Sequence, residues 1–443
     1  MMKQVFIGSV FYFFLFGIAA AGQTPDFEEE LVVCQLTEPI QFALNTRSVI
    51  ATDSAGTVHI VYFVSVPSSS PPSYEIRYQT IREGHVSEPV RVDNGKILGG
   101  RHPSLAVDNT DTVHVVWHDY RHSTESGTWM DNVEIYYDRK SPSEGFLNDD
   151  IRITYTNADH NGDNGFLPKI AVSSDNRIHI VWYDFNANGN NADVYLRTST
   201  EEGEFPLAEG IDQFRITSIA EGGAPGSPWS PGDEFSSAWV PSLAVFPDGD
   251  LYTLWGFLAG FQGVLEIQGG VISRNGTLGA IEIVAEKGGM STDPPRLTHD
   301  DNGNLGLAYM NRIESQSRIQ FQYRPYENTW SNPIFIDGGD LDASQPDVVF
   351  GADNDMYVIY QEDVGGIFQV SLATINLENM TVDSRHVLSG IDFDARTPAL
   401  AIEKVTGRLH VAWIEQSFDN EWTIKYRRQQ LTGVKQWRIY SNK

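Results

Sequence analysis

The chain has 443 residues, with 31 basic against 59 acidic side chains and a formal net charge of −28. An acidic excess of that size opposes contact with nucleic acid or anionic lipid, and any site for an acidic ligand must be a local basic pocket within it. Cys34 is the only cysteine, so intrachain disulfides and cysteine-held zinc or iron–sulfur centres are excluded.

The first 21 residues carry Lys3, an apolar run from Val5 to Ile18 and the small residues Ala19-Ala20-Ala21, the pattern of a cleaved export signal. They predict a protein that is secreted or periplasmic, with no membrane contact after cleavage. Residues 22–45 follow as an N-terminal segment and candidate ring-closing strand, and from residue 46 to 443 the chain repeats itself. The repeat starts near 48, 103, 168, 241, 295, 346 and 398. A typical unit is "PSLAVDNTDTVHVVWHD" from Pro103, an apolar run, a polar turn and a second apolar run, which is a hairpin. Third strands are read at 132–139, 192–199, 318–325 and 423–429, and shorter fourth strands at 89–93, 151–155, 214–219 and 333–337. Four antiparallel strands in each of seven units, with a period near 50 and no sustained helical period, predict an all-β, seven-bladed β-propeller. Either "EPIQFAL" at 38–44 or "QWRIYS" at 436–441 is expected to close the ring.

Within a hairpin, the start of the first strand and the end of the second open on the same face of the disc. Two residues before the repeat's proline stand Arg101, Phe166, Trp239, Ser344 and Arg396; the second strands end in Asp119, Asp184, Asn311, Glu362 and Glu415. That face is the expected ligand site, with arginines, aromatic rings and carboxylates around the channel. The run His118 to His122 is the densest group of chemistry-bearing side chains on it.

The stretches "PSLAVDNTDTVHVVWHDYR" and "PKIAVSSDNRIHIVWYDFN" resemble the repeats of secreted sialidase-like (BNR) propellers. The resemblance implies a carboxylate-binding arginine in Arg-x-Pro, a second arginine and an aspartate acid/base. Arg101-His102-Pro103, Arg121 and Asp131 fit that order, with Glu125 an alternative to Asp131 and Arg396-Thr397-Pro398 a second copy of the first element. The family's nucleophilic tyrosine and glutamate have no assignable counterpart. The sequence is also similar to propeller polysaccharide lyases, which place a histidine and a tyrosine at second-strand ends of neighbouring blades and an arginine on the next strand. His118, Tyr183 and Arg197 occupy those places and would serve β-elimination next to a carboxylate. The family's further histidine is replaced here by Asp138 and Arg139.

Three other features are read from the residues themselves. His59, His114, His179 and His410 recur at one mid-strand position and are expected to be hydrogen-bonded structural groups, with Tyr252 and Tyr357 as substitutes. Asp159, Asn161 and Asp163 at alternate positions begin a candidate calcium loop, although glutamate is missing from its last position; no other cofactor is required. The insertion at 218–239, rich in Gly, Pro and Ser around Trp229, Phe235 and Trp239, is either a sugar-stacking loop or a lid. Together these readings predict a monomer that binds an extracellular glycan or protein on the channel face, with glycoside hydrolysis or uronate elimination as the enzymatic alternatives.

Overall fold

The computed structural model describes residues 26–41, 48–66, 73–94, 98–122, 132–155, 164–185, 192–205, 214–217, 237–258, 265–287, 293–351 and 355–430. The export signal, the calcium loop, Glu125 with Asp131, residues 218–236 and the segment 436–441 lie outside them. Among the described residues no helix is long and apolar enough to cross a membrane.

The strands form seven separate sheets. Blade two runs Gly100–Val107, Val113–Asp119, Glu134–Lys140 and Ile151–Arg152, and the other blades follow the same antiparallel order. The innermost strand of each blade touches the innermost strands of both neighbours, and that of blade seven touches that of blade one, so the ring is closed. This is the predicted seven-bladed propeller.

The second strands explain why the sheets stack. Val113–Asp119 is buried at every position, and Trp117, Trp182, Trp255 and Trp413 recur at one repeat position with no exposed surface. Each such ring removes ~150–250 Å² from water, an upper-bound contribution of roughly 4–6 kcal/mol. The recurring histidines tie each hairpin turn to the third strand. His114 places Nε2 3.2 Å from the Asp108 carboxylate and Nδ1 2.8 Å from the Tyr137 hydroxyl. His59 repeats the pattern with Asp53 and Tyr78, and His410 with Glu403 and Tyr426. In blade three His179 uses Ser173 and Thr198. These are buried braces; His59 and His410 hold the carboxylate only at ion-pair distance, 3.4 and 3.7 Å.

Closure uses a strand of the N-terminal segment 22–45, upstream of the stretch at 38–44. Leu31–Leu36 pairs antiparallel with Trp422–Arg428, from Leu31 opposite Tyr426 to Leu36 opposite Trp422, and completes blade seven. Ile40–Gln41, part of the segment expected to do this, pairs instead with Val64 and Phe63. It therefore lies on the same inner edge of the second strand as Ile50–Thr52. Alternating apolar residues specify a strand but not which edge it joins.

The first strands carry a repeated irregularity. The register slips between Arg101 and Ser104, Phe166 and Lys169, Trp239 and Ser242, Ser344 and Asp347, and Arg396 and Ala399. At each slip the residue before the proline has positive φ: His102 51°, Leu167 49°, Val240 48°, Gln345 54° and Thr397 50°. Such values are costly for branched side chains, so the surroundings must hold them. Three of these amides are held by the preceding blade: Leu167 N–H donates to His118 Nδ1 at 3.3 Å, Gln345 N–H to Asp293 Oδ2 at 2.8 Å, and Thr397 N–H to Gln361 Oε1 at 3.0 Å. A bulge of this kind re-aims the side chains around it, and all five lie on the face where first strands begin, here called the proline face. The hairpin turns make the opposite, turn face.

Candidate functional site

The bulges set a continuous row of rings along the proline face of blades one to four. Phe63 and Tyr74 of blade one lie 6.0 Å apart, and Phe63 is 5.2 Å from His102 of blade two. His102 meets His118 at 4.9 Å, and His118 in turn meets Tyr120 at 5.3 Å and Phe166 of blade three at 5.5 Å. Phe166 stacks on Tyr183 at 5.8 Å, and Tyr183 stacks almost parallel on Trp239 of blade four, at 6.3 Å and 10°.

Arg101 is set into this row. Its guanidinium carbon lies 3.4 Å from the Tyr74 ring centroid and 5.4 Å from that of Tyr120, close enough for a cation–π contact. Burial lowers the Arg101 pKa, while a hydrogen bond with Tyr120 opposes the shift. The two imidazoles are neutral. Burial, with Arg101 nearby, pushes His102 down to about 3, and burial together with His102 and Arg101 pushes His118 well below its ordinary value. Because His118 Nδ1 accepts the Leu167 amide, its single proton belongs on Nε2. Burial raises the Tyr183 hydroxyl above the ordinary phenol value.

Four sequence-predicted site residues, Arg101, His118, Tyr183 and Trp239, thus come together. The others do not join them. Asp119 has no exposed surface and accepts from the Trp117 indole at 2.9 Å, from the Arg121 amide at 2.8 Å and from its guanidinium at 2.6 Å. Arg121 also binds Asp150 at 2.6 Å and lies 3.9 Å over the Tyr136 ring, so two carboxylates already neutralise it. Asp184 is buried at the end of its strand, between Gly165 and Asp193 in the register. Arg197 is buried at the penultimate position of Ala192–Thr198 and donates to the backbone carbonyls of Ile153 and Phe205, the latter at 3.1 Å. It is an inter-blade brace, out of reach of the row. Arg396 stands in blade seven, paired with Asp394 at 2.6 Å and lying 4.3 Å over the Phe368 ring. Arg101, Arg121 and Arg396 therefore occupy three separate settings and do not form one carboxylate clamp.

Sequence reasoning missed Tyr74 and Phe63, which read as ordinary strand aromatics; Tyr120 lies within the run His118 to His122 that it singled out. On the turn face, two clefts are defined by described residues. One, of about 350 Å³, lies between blades two and three and includes His114, Arg139 and Glu202. The other, of about 260 Å³, includes His299, Asp301 and Lys404. No group of three or more His, Cys, Asp or Glu side chains suited to a metal ion occurs among the described residues.

No family model matches the sequence, and no curated protein matches it. Solved structures do resemble the fold. Polysaccharide lyase Uly1 superposes with a TM-score of 0.53 at 10% identity, over 87% of this chain and 90% of that one. The GH93 α-L-arabinofuranosidase of Fusarium graminearum gives 0.49 at 12%, over 78% and 99%. The sialidase of Trypanosoma rangeli gives 0.44 at 11%, over 89% and 60%. At such identities the likeness is one of fold, and the chain is a seven-bladed β-propeller.

Proposed function

We propose that, after export, the proline face of blades one to four binds a glycan chain bearing acidic groups. The observation that carries this reading is the unbroken row of rings from Tyr74 to Trp239 with the Arg101 guanidinium set into it. Sugar rings present flat C–H faces that pack on aromatic rings, and a guanidinium is the preferred partner of a carboxylate. Tyr74 and Trp239, the partly exposed ends of the row, supply the first interaction, the buried rings between them hold the two in place, and Arg101 supplies the second at one end. The fold likeness to a polysaccharide lyase agrees with a carbohydrate ligand.

Titration of the protein with alginate, polygalacturonate and hyaluronan oligosaccharides, followed by tryptophan fluorescence and calorimetry, tests the reading. At least one should bind, and Trp239→Ala should weaken it about 3–10-fold, the worth of one aromatic pair. Absence of binding to all three would contradict it.

One observation favours catalysis as a second reading: His118 and Tyr183, from adjacent blades, pack against the same Phe166 ring. A neutral His118 with its proton on Nε2 can act only as a base at Nδ1, for which it would have to break its bond to Leu167, and the Tyr183 hydroxyl would then give its proton to the leaving oxygen. Ultraviolet absorbance of an unsaturated uronate product, formed by the wild type and lost in His118→Gln, would establish elimination.

A further inference from the structure

We infer that a second glycan-binding cradle lies at the junction of blades six and seven and takes further units of the chain held by the first. This rests on the glycan-binding reading of blades one to four. The basis is a duplication on the proline face. Arg101-His102-Pro103 and Arg396-Thr397-Pro398 hold the same repeat position, with the same register slip and nearly equal φ of 51° and 50° at the middle residue. Each guanidinium lies over an aromatic ring of the preceding blade, Arg101 over Tyr74 at 3.4 Å and Arg396 over Phe368 at 4.3 Å.

Those two rings are also equivalent. Tyr74 pairs with Ser65 and Phe368 with Asp363. Ser65 and Asp363 each stand six residues after the recurring brace position, held by His59 in blade one and Tyr357 in blade six. The repeat has therefore built the same arginine-on-ring unit twice, in blades two steps apart around the ring.

The second copy is more open than the first. Asp394 fixes it by accepting from Arg396 Nε at 2.6 Å and from the Phe368 amide at 2.9 Å, while the Arg396 side chain remains 44% exposed. The two terminal amino groups of Arg396 have no hydrogen-bond partner among the described residues and are donors for carboxylate or hydroxyl oxygens. Exposed apolar side chains stand just past the ends of the same hairpin: Phe418 is 81% exposed, Ile391 69% and Phe393 41%. Asp394 and Gln416 are the last paired residues of their hairpin on this side, so Phe393 and Phe418 project just beyond it. Large apolar groups left in water around a fixed donor mark a contact surface. The occupant follows from continuity: the surface shares the face and the arginine-on-ring unit of the first site, and blade seven is the direct neighbour of blade one, where the first site begins.

The test compares alginate and polygalacturonate, as polymers and as tetramers, with the wild type, Arg396→Ala, Phe393→Ser/Phe418→Ser and Trp239→Ala. Two linked sites raise polymer affinity through effective concentration. Arg396→Ala and the double serine variant should therefore lose about tenfold or more in polymer affinity and leave tetramer affinity unchanged, while Trp239→Ala weakens both. The exposed phenylalanines can be changed without disturbing the core, which keeps the test open if Arg396→Ala misfolds. Unchanged polymer affinity in both blade-seven variants would overturn the second cradle and leave the first site standing. Altered self-association on sedimentation, with glycan affinity intact, would also overturn it by making the surface a contact between copies. If Arg396→Ala abolishes all binding while Trp239→Ala has no effect, the blade six–seven surface stands and the first-site reading fails. No binding by the wild type overturns both.

Discussion

His118 is the residue on which a structural and a chemical role collide, and replacing it separates them. Its Nδ1 accepts the amide of Leu167, a residue held at positive φ. In blade six the same repeat position is Gln361, whose Oε1 accepts the equivalent amide of Thr397. In His118→Ala the buried Leu167 N–H loses its acceptor, at about 1–3 kcal/mol. Ring contacts with His102, Tyr120 and Phe166 disappear as well, for a total of roughly 3–4 kcal/mol. An unfolding entropy of about 2.1 cal/mol/K per residue over 443 residues makes roughly 0.9 kcal/mol per kelvin, so the melting temperature should fall by ~3–4 °C. His118→Gln restores the acceptor and should lose only ~1 °C. Scanning calorimetry measures both. Equal destabilisation by Gln and Ala would refute the equivalence with Gln361, and with it the assignment of His118 as the link between blades two and three.

Two further predictions concern the scaffold. Asp138 is fully buried; its Oδ1 accepts the amides of Arg139 and Leu147, and Oδ2 has no partner. Burial raises its carboxyl to about 7. The folded chain therefore keeps a proton that the unfolded chain loses above about pH 4. The stability Asp138 contributes is present below that pH and lost as pH rises to about 7, by at most ~4 kcal/mol. Asp138→Asn has no proton to lose and should show a flatter melting temperature between pH 4 and 7; parallel profiles would count against this. Truncation through Leu36 should open blade seven, expose the edge of Trp422–Arg428 and cause association. A synthetic peptide spanning residues 26–38 should reverse this, and a monomeric truncation with unchanged melting temperature would contradict closure by that strand.

The fold was legible because each blade must bury the same strand between neighbours, and that demand writes a repeat. The brace histidines were legible for a related reason: they sit amid Val, Ile and Leu at mid-strand, where only a satisfied polar group is tolerated. The site was less legible. Asp119 and Arg121 look like acid and cation in one dimension, but a buried aspartate beside an indole and a guanidinium is consumed by them. Arg197 reads as a ligand residue until its carbonyl partners from other segments appear. His118 looked catalytic because nothing in its own blade explains it; its partner lies 49 residues later. The presence of Gln361 at the same repeat position was the available clue. Tyr74 and Phe368 could have been found by asking which third-strand residue faces each Arg-x-Pro bulge.

The most direct test of the account is a crystal structure with the tightest-binding oligosaccharide from the three-glycan titration. The account predicts a sugar ring lying against Trp239 on the proline face, with a carboxylate within hydrogen-bond distance of Arg101. Density confined to the turn face, in the cleft that includes His114 and Arg139, would contradict it.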